Sequence, residues 1–216
     1  MSIAPFTALA SERDPSIGEL ALALAGELGE VDADGARAEL DHLGAELAPA
    51  AGTGPAAELD ALREVLSVRQ GFTGNREDYD DPDNSMLDLV LERRTGLPIL
   101  LSIVYVEVAR RAGILLAGVG LPGHYVAGHF GQSPPLLLDP FNGGAPIALA
   151  EPIEIEPWGP HATALRMLNN LVGSYSRRMD LGLAIRAAEL RLDLPLGEAD
   201  GAAFRVELRS LRARLN

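Results

Sequence analysis

Leucines at positions 20, 24 and 28 recur every four residues behind Pro15-Ser16-Ile17, and this single apolar stripe predicts an amphipathic helix with one face to bury. Asp34 to Leu47 repeats the pattern with Leu40, Leu43 and Leu47, and Ala57 to Gln70 repeats it with Leu59, Leu62, Val65 and Leu66. The Ala-Gly-Pro stretch from Ala48 to Pro55 reads as the loop between them. Met86 to Arg94 forms a further helix, with Asn84 or Ser85 expected as its cap and Asp88 completing a capping box with Ser85. Ile99 to Ala112 is an apolar helix. Pro98 suits its first position, where an N–H would be unpaired, and Gly113 marks its stop. Short apolar runs at Leu115 to Leu121, Tyr125 to Phe130 and Leu136 to Leu138, bounded by glycine and proline, predict three successive strands. Pro140 to Trp158 is rich in proline and glycine, with Ile153-Glu154-Ile155 as a short alternating strand. His161 to Met179 carries Leu165, Leu168, Leu171, Val172 and Tyr175 at helical spacing. Ala184 to Leu194 and Glu198 to Leu215 close the chain as two amphipathic helices around Pro195-Leu196-Gly197.

A helix followed by antiparallel strands makes this an α+β chain. We divide it into an N-terminal helical subdomain over residues 1–74, an α+β core over 75–160 and C-terminal helices over 161–216. At 216 residues and 47% hydrophobic content, it has enough apolar surface for one core. The order of elements puts His124 at the start of one strand and Asp139 at the end of the next. A hairpin through Gly131-Gln132-Ser133-Pro134-Pro135 then brings imidazole and carboxylate side by side. A carboxylate-held histidine beside a helix N-terminus is the setting of a thiol nucleophile, whose pKa the helix end lowers while the histidine shuttles the proton. Here the nucleophile is missing.

Charge and cysteine content narrow the chemistry. Eighteen basic residues, all arginine, stand against 31 acidic ones, and a net charge of −13 disfavours nucleic acid or an anionic membrane as partner. Zero cysteines removes disulfides, cysteine-ligated zinc and any thiol nucleophile. No cofactor is implied. The N-terminus lacks a basic then apolar leader, and Glu107, Arg110 and Arg111 interrupt the most apolar window. The expectation is therefore a soluble, cytoplasmic protein without a membrane span. The acidic run Glu77 to Asp83 lacks the glycine and distal glutamate of a calcium loop, and is read as a solvated loop. His124 and His129, five apart on one strand, point to opposite faces, which argues against a two-histidine metal site; His161 is read as a surface or capping residue.

Gly96-Leu97-Pro98 before an apolar helix, Arg110-Arg111-Ala112-Gly113-Ile114, Pro122-Gly123-His124 and Leu138-Asp139-Pro140-Phe141 together resemble the transglutaminase-like superfamily, whose papain-related core reads Gly-x-Cys, helix, Gly-Ile, His, Asp. Pro98 stands at the cysteine position, and His124 and Asp139 at the other two. With Asp81-Pro82-Asp83-Asn84-Ser85-Met86-Leu87, Arg93-Arg94-Thr95-Gly96 and Arg166-Met167-Leu168-Asn169-Asn170-Leu171, the likeness narrows to the bacterial SirB family, a branch without the cysteine. The resemblance implies a papain-like fold, with the central helix on a small antiparallel sheet and helices on either side. The last two helices resemble one tetratricopeptide unit, which cannot bury its own face and must dock on the rest of the chain or on a partner.

The candidate site is then His124 and Asp139 as the remnant of a catalytic pair. Pro98, Asn84, Arg94, Tyr125 and Phe141 are expected around it as cleft residues, with Arg93 also near the helix mouth. Ser102, one turn after Pro98, is the substitute nucleophile to weigh, although a serine there more often bonds to the carbonyl four residues earlier. The leading expectation is a non-catalytic protein that binds a protein or peptide, in a regulatory role. A hydrolase or acyltransferase using Ser102 or water with His124 and Asp139 is the second, and a protein that self-associates through its terminal helices is the third.

Overall fold

The computed structural model describes residues 3–148 and 154–215. It opens with helices α1 (Phe6–Ala10), α2 (Ile17–Leu28), α3 (Ala33–Leu47) and α4 (Pro55–Leu62). The last of these widens into a π-helical segment, Arg63–Arg69, where a single regular helix was expected. A two-residue strand β1 (Thr73–Gly74) follows. It lies parallel to β2 (Thr95–Gly96), with Gly74 opposite Gly96, and the short helix α5 (Leu87–Arg93) falls between the two. Helix α6 (Pro98–Ala112) leads into the antiparallel meander β3 (Leu116–Leu121), β4 (His124–His129), β5 (Leu136–Asp139) and β6 (Ala145–Ile147). Helices α7 (Pro160–Arg177), α8 (Leu181–Arg191) and α9 (Glu198–Leu215) complete it. β6 was not read from the sequence. Of the expected strand at 153–155, Ile153 lies outside the described residues, and Glu154 and Ile155 are not in a strand.

The enclosure of α6 sets the architecture. From Pro98 to Ala109 every residue but Val106 is buried, so the helix needs cover on all sides. α3 and α5 cover one flank, and β3, β4 and the turn after β5 cover the other. Its ends are well defined. Pro98 begins it without an N–H to satisfy. At the other end Gly113 turns left-handed (φ 82°), so that its own N–H reaches Arg110 O and that of Ile114 reaches Ala109 O. Glu107, buried in this helix, accepts from Arg111 Nη1 (2.6 Å), Arg110 Nη2 (3.0 Å), Gly18 N (3.1 Å) and Ser16 Oγ (3.3 Å). The charge that breaks the apolar window therefore fastens the start of α2 to α6.

The sheet alternates as a half-covered sheet must. Tyr125, Ala127 and Leu138 join the main core, while Val119, Val126 and Leu137 form a second cluster on the opposite face. The main core continues through Leu168, Leu171, Ala187 and Leu208, so the last helices dock on the chain itself: α8 lies against α7 and α2, and α9 lies against α8. Among the described residues no helix is long and apolar enough to cross a membrane.

Burial pushes the phenols of Tyr105, Tyr125 and Tyr175 up to about 12. The unfolded chain gives up these protons near pH 10, well before the folded one does, so their contribution to stability is full below pH 10 and is lost as pH rises through 12. Absorbance at 295 nm during alkaline titration should therefore show these three tyrosines ionising together with the loss of helical circular dichroism. Three ionisations complete before any unfolding would contradict it.

Candidate functional site

The two-residue turn Pro122-Gly123 sets the position of His124. Proline presets the first turn residue and Gly123 supplies the left-handed second (φ 71°), so Leu121 pairs with His124 and the histidine begins β4. Asp139 ends β5, where the chain turns through a 3₁₀ turn at Pro140–Asn142. His124 Nε2 lies 2.9 Å from Asp139 Oδ2. The carboxylate also accepts from Asn142 Nδ2 at 2.5 Å and from Asn142 N at 3.2 Å. The imidazole side chain is 29% exposed and the carboxylate 9%, so the pair opens to solvent on the histidine side. His124 Nδ1 has no hydrogen bond among the described residues.

Phe141 connects this pair to the start of α6. Its ring stands edge-on to His124 at 6.4 Å and to Tyr79 at 6.0 Å. It also packs against Gly74, where a Cβ would come within 2.4 Å of ring carbons. Gly74 pairs with Gly96, two residues before Pro98. Asn84 stands at the same mouth: its carbonyl accepts from Leu97 N at 3.1 Å, and its amide donates to Asp78 O at 2.7 Å. Asn75 Nδ2 donates to Asn84 Oδ1 at 3.0 Å, so the polar atoms of Asn84 are taken up in holding the 75–84 loop.

Several expected members are placed differently. Ser102 is wholly buried and donates to Pro98 O at 2.8 Å, so its hydroxyl turns back into its own helix and not toward His124. Arg94 caps α5 in the left-handed conformation (φ 60°). Its guanidinium pairs with Glu39 and lies 4.7 Å over the Phe72 ring, so it belongs to the α3 packing and not to the cleft. Arg93 is tied to Asp83 at 2.6 Å and Asp81 at 3.5 Å. Neither Asn84 nor Ser85 caps α5: Met86 holds that position without a side-chain bond, Asp81 caps the preceding 3₁₀ turn, and Asp88 accepts from Asp32 N. Tyr125 hydrogen-bonds Thr163 at 2.7 Å and lines a cavity of about 490 Å³ with Trp158, Pro160, Ile17 and Glu107, away from His124. His129 is paired with buried Glu58 at 2.5 Å, and His161 reaches Ala10 O at 3.1 Å.

Sequence reasoning missed three residues. Asn142 bonds Asp139 twice, at the three-residue offset of a side-chain cap. Arg76 lies 5.2 Å over Phe141 and bonds Asn142 Oδ1. Arg166 clamps the Leu121–His124 hairpin end, donating to His124 O at 2.9 Å and Leu121 O at 3.4 Å, with its guanidinium 5.7 Å from the Tyr125 and Trp158 rings.

A histidine is thus oriented by a carboxylate and bordered by an aromatic ring, and that ring packs on the strand paired with the one leading into α6. The chain belongs to the transglutaminase-like superfamily, whose family model matches residues 34–157 and so spans both His124 and Asp139. A UPF0162 protein of Xylella fastidiosa is 36% identical over 156 residues, 63% of this chain and 56% of that protein. One of Pseudomonas aeruginosa is 35% identical over 143 residues, 62% of this chain and 49% of that protein. F-box only protein 21 of Mus musculus is 44% identical over 68 residues, 32% of this chain and 11% of that protein. The chain thus spans about half the length of the UPF0162 relatives it matches. No solved structure matches it.

Arg166→Ala should cost about 1–2 kcal/mol, from the lost carbonyl bonds and ring contacts, and should move the His124 ring signals in NMR. Arg166→Lys should restore only part of this, because a point ammonium does not reproduce the fork. Chemical denaturation and side-chain spectra of the three proteins check it. Unchanged stability and unchanged His124 signals would show that the clamp does not support the site.

Proposed function

We propose that this chain is a non-catalytic transglutaminase-like protein that binds a protein or peptide at the face formed by His124, Asp139 and Phe141. The observation that carries the reading is that the 216 residues contain no cysteine and that Ser102, one turn into α6, is bonded to the carbonyl of Pro98, the residue that the resemblance sets at the nucleophile position. Without thiolate or free hydroxyl no acyl-enzyme forms. Yet the imidazole remains oriented by Asp139, and Asp139 by Asn142. An ordered and partly exposed polar pair that catalyses nothing is kept most economically as a recognition surface. The motif blocks around residues 81–99, 118–124 and 166–171 favour the cysteine-lacking SirB branch as its place within the superfamily, and a regulatory role follows from that likeness.

Two measurements test this. A fluorophosphonate probe should leave the protein unlabelled, and labelling that disappears in Ser102→Ala would overturn the non-catalytic reading. A pull-down with the intact protein should retain a partner that is lost with the His124→Ala, Asp139→Ala double variant once both proteins are shown to be folded by circular dichroism. Identical capture by the two would move the binding face elsewhere.

A further inference from the structure

One cation at this face makes no direct ion pair. Arg76 is exposed and forms no ion pair among the described residues, although the chain carries a net charge of −13. It is nonetheless oriented: the guanidinium lies 5.2 Å over the Phe141 ring and donates from Nη2 to Asn142 Oδ1. Asn142 passes the order on, giving Nδ2 to Asp139 Oδ2, which faces His124 Nε2. Arg76, Asn142, Asp139 and His124 thus form one hydrogen-bonded row along Phe141. Holding the fork in advance spares a ligand the entropy of ordering a long side chain, and the N–H groups not used on Asn142 remain for it.

The adjoining run 77–83 holds five carboxylates, and four of them are engaged by three other arginines: Asp80 by Arg177, Asp78 by Arg178 at 2.6 Å, and Asp83 and Asp81 together by Arg93 at 2.6 and 3.5 Å. Glu77 alone of the five has no such partner among the described residues. These ion pairs also anchor the loop that carries Arg76 to α7 and α5, so the guanidinium has a fixed base.

We infer that Arg76 anchors a carboxylate of the bound peptide, either an acidic side chain or a C-terminal carboxylate. The inference rests on the reading of this face as a peptide-binding surface, and names the chemistry of what it takes. Both carboxylate oxygens fit the planar fork of an arginine. A segment held there runs along Phe141, whose other border is the His124 ring at 6.4 Å.

The test is an NMR titration of the full isotopically labelled chain with three synthetic hexapeptides. One has two central glutamates and an amidated end, the second has glutamines and an amidated end, and the third has glutamines and a free C-terminus. The glutamate peptide should shift the Arg76 and Asn142 amides and the His124 ring with a saturable curve, and should bind more tightly than the glutamine amide. Arg76→Gln should weaken it about tenfold, the worth of one charge-assisted contact, with no effect on the glutamine amide. Arg209→Gln, an exposed substitution on α9, should change nothing. Binding of the free-acid glutamine peptide at glutamate strength assigns the source to a C-terminus; its failure assigns it to an acidic side chain. A glutamine amide that binds as tightly as both carboxylate-bearing peptides, undiminished carboxylate binding by Arg76→Gln, or no shift from any of the three overturns the carboxylate anchor. Charge-independent binding that is lost in the His124→Ala, Asp139→Ala variant would sink the anchor and leave the peptide-binding reading standing.

Discussion

The structure depends on having to hide α6. From Pro98 to Ala109 every residue of α6 but Val106 is buried, so the chain must supply cover around that length, and the surrounding elements are arranged to do it. The one buried carboxylate on that helix, Glu107, is tolerable because four donors meet it, and those donors hold α2 to the core. The first turn of α6 cannot be covered by packing alone, because β2 and the 75–84 loop must reach it. The space where that loop, the β5 turn and the start of β4 come together is the candidate site.

At that place a histidine, its carboxylate and an asparagine are ordered, and under the proposed reading the part that would react is gone. The histidine is fixed by register, through a two-residue turn, and by hydrogen bonding, through a carboxylate that an asparagine holds in turn. Proline at the first helical position costs the helix nothing, since no backbone donor is needed there. Under the proposed reading it stands in for a thiol without disturbing the helix, and membership in the superfamily does not by itself bring its reaction.

Much of this was legible beforehand for local reasons. The ends of α6 are written in Pro98 and Gly113, and the pairing of His124 with Asp139 follows from strand lengths and turn residues. What escaped depends on contacts far apart in sequence. Arg76 meets Asn142 across 66 positions and Arg166 meets His124 across 42, and no periodicity encodes either meeting. Arg94 was misplaced because Arg93-Arg94 reads as two polar residues at a helix end. Only the left-handed cap at Arg94 turns its side chain toward α3. Tyr125 was placed at the wrong wall for a simpler reason: as the neighbour of His124 on a strand it faces the other way, into the Trp158 cavity. The expected cap at Asn84 gave way to tertiary demand, since that side chain is spent on the loop beside α6.

The account stands most directly on whether position 98 is the seat of a missing thiol within reach of His124. Pro98→Cys, paired with Pro98→Cys, His124→Ala, allows this to be measured by the rate of iodoacetamide alkylation against pH in the folded proteins. If the frame is intact, the single variant reacts faster at neutral pH, with a midpoint clearly below the ordinary thiol value of about 8.5, and removing the imidazole abolishes that advantage. Equal rates in the two proteins, or a cysteine at 98 that reacts only after denaturation, would contradict it.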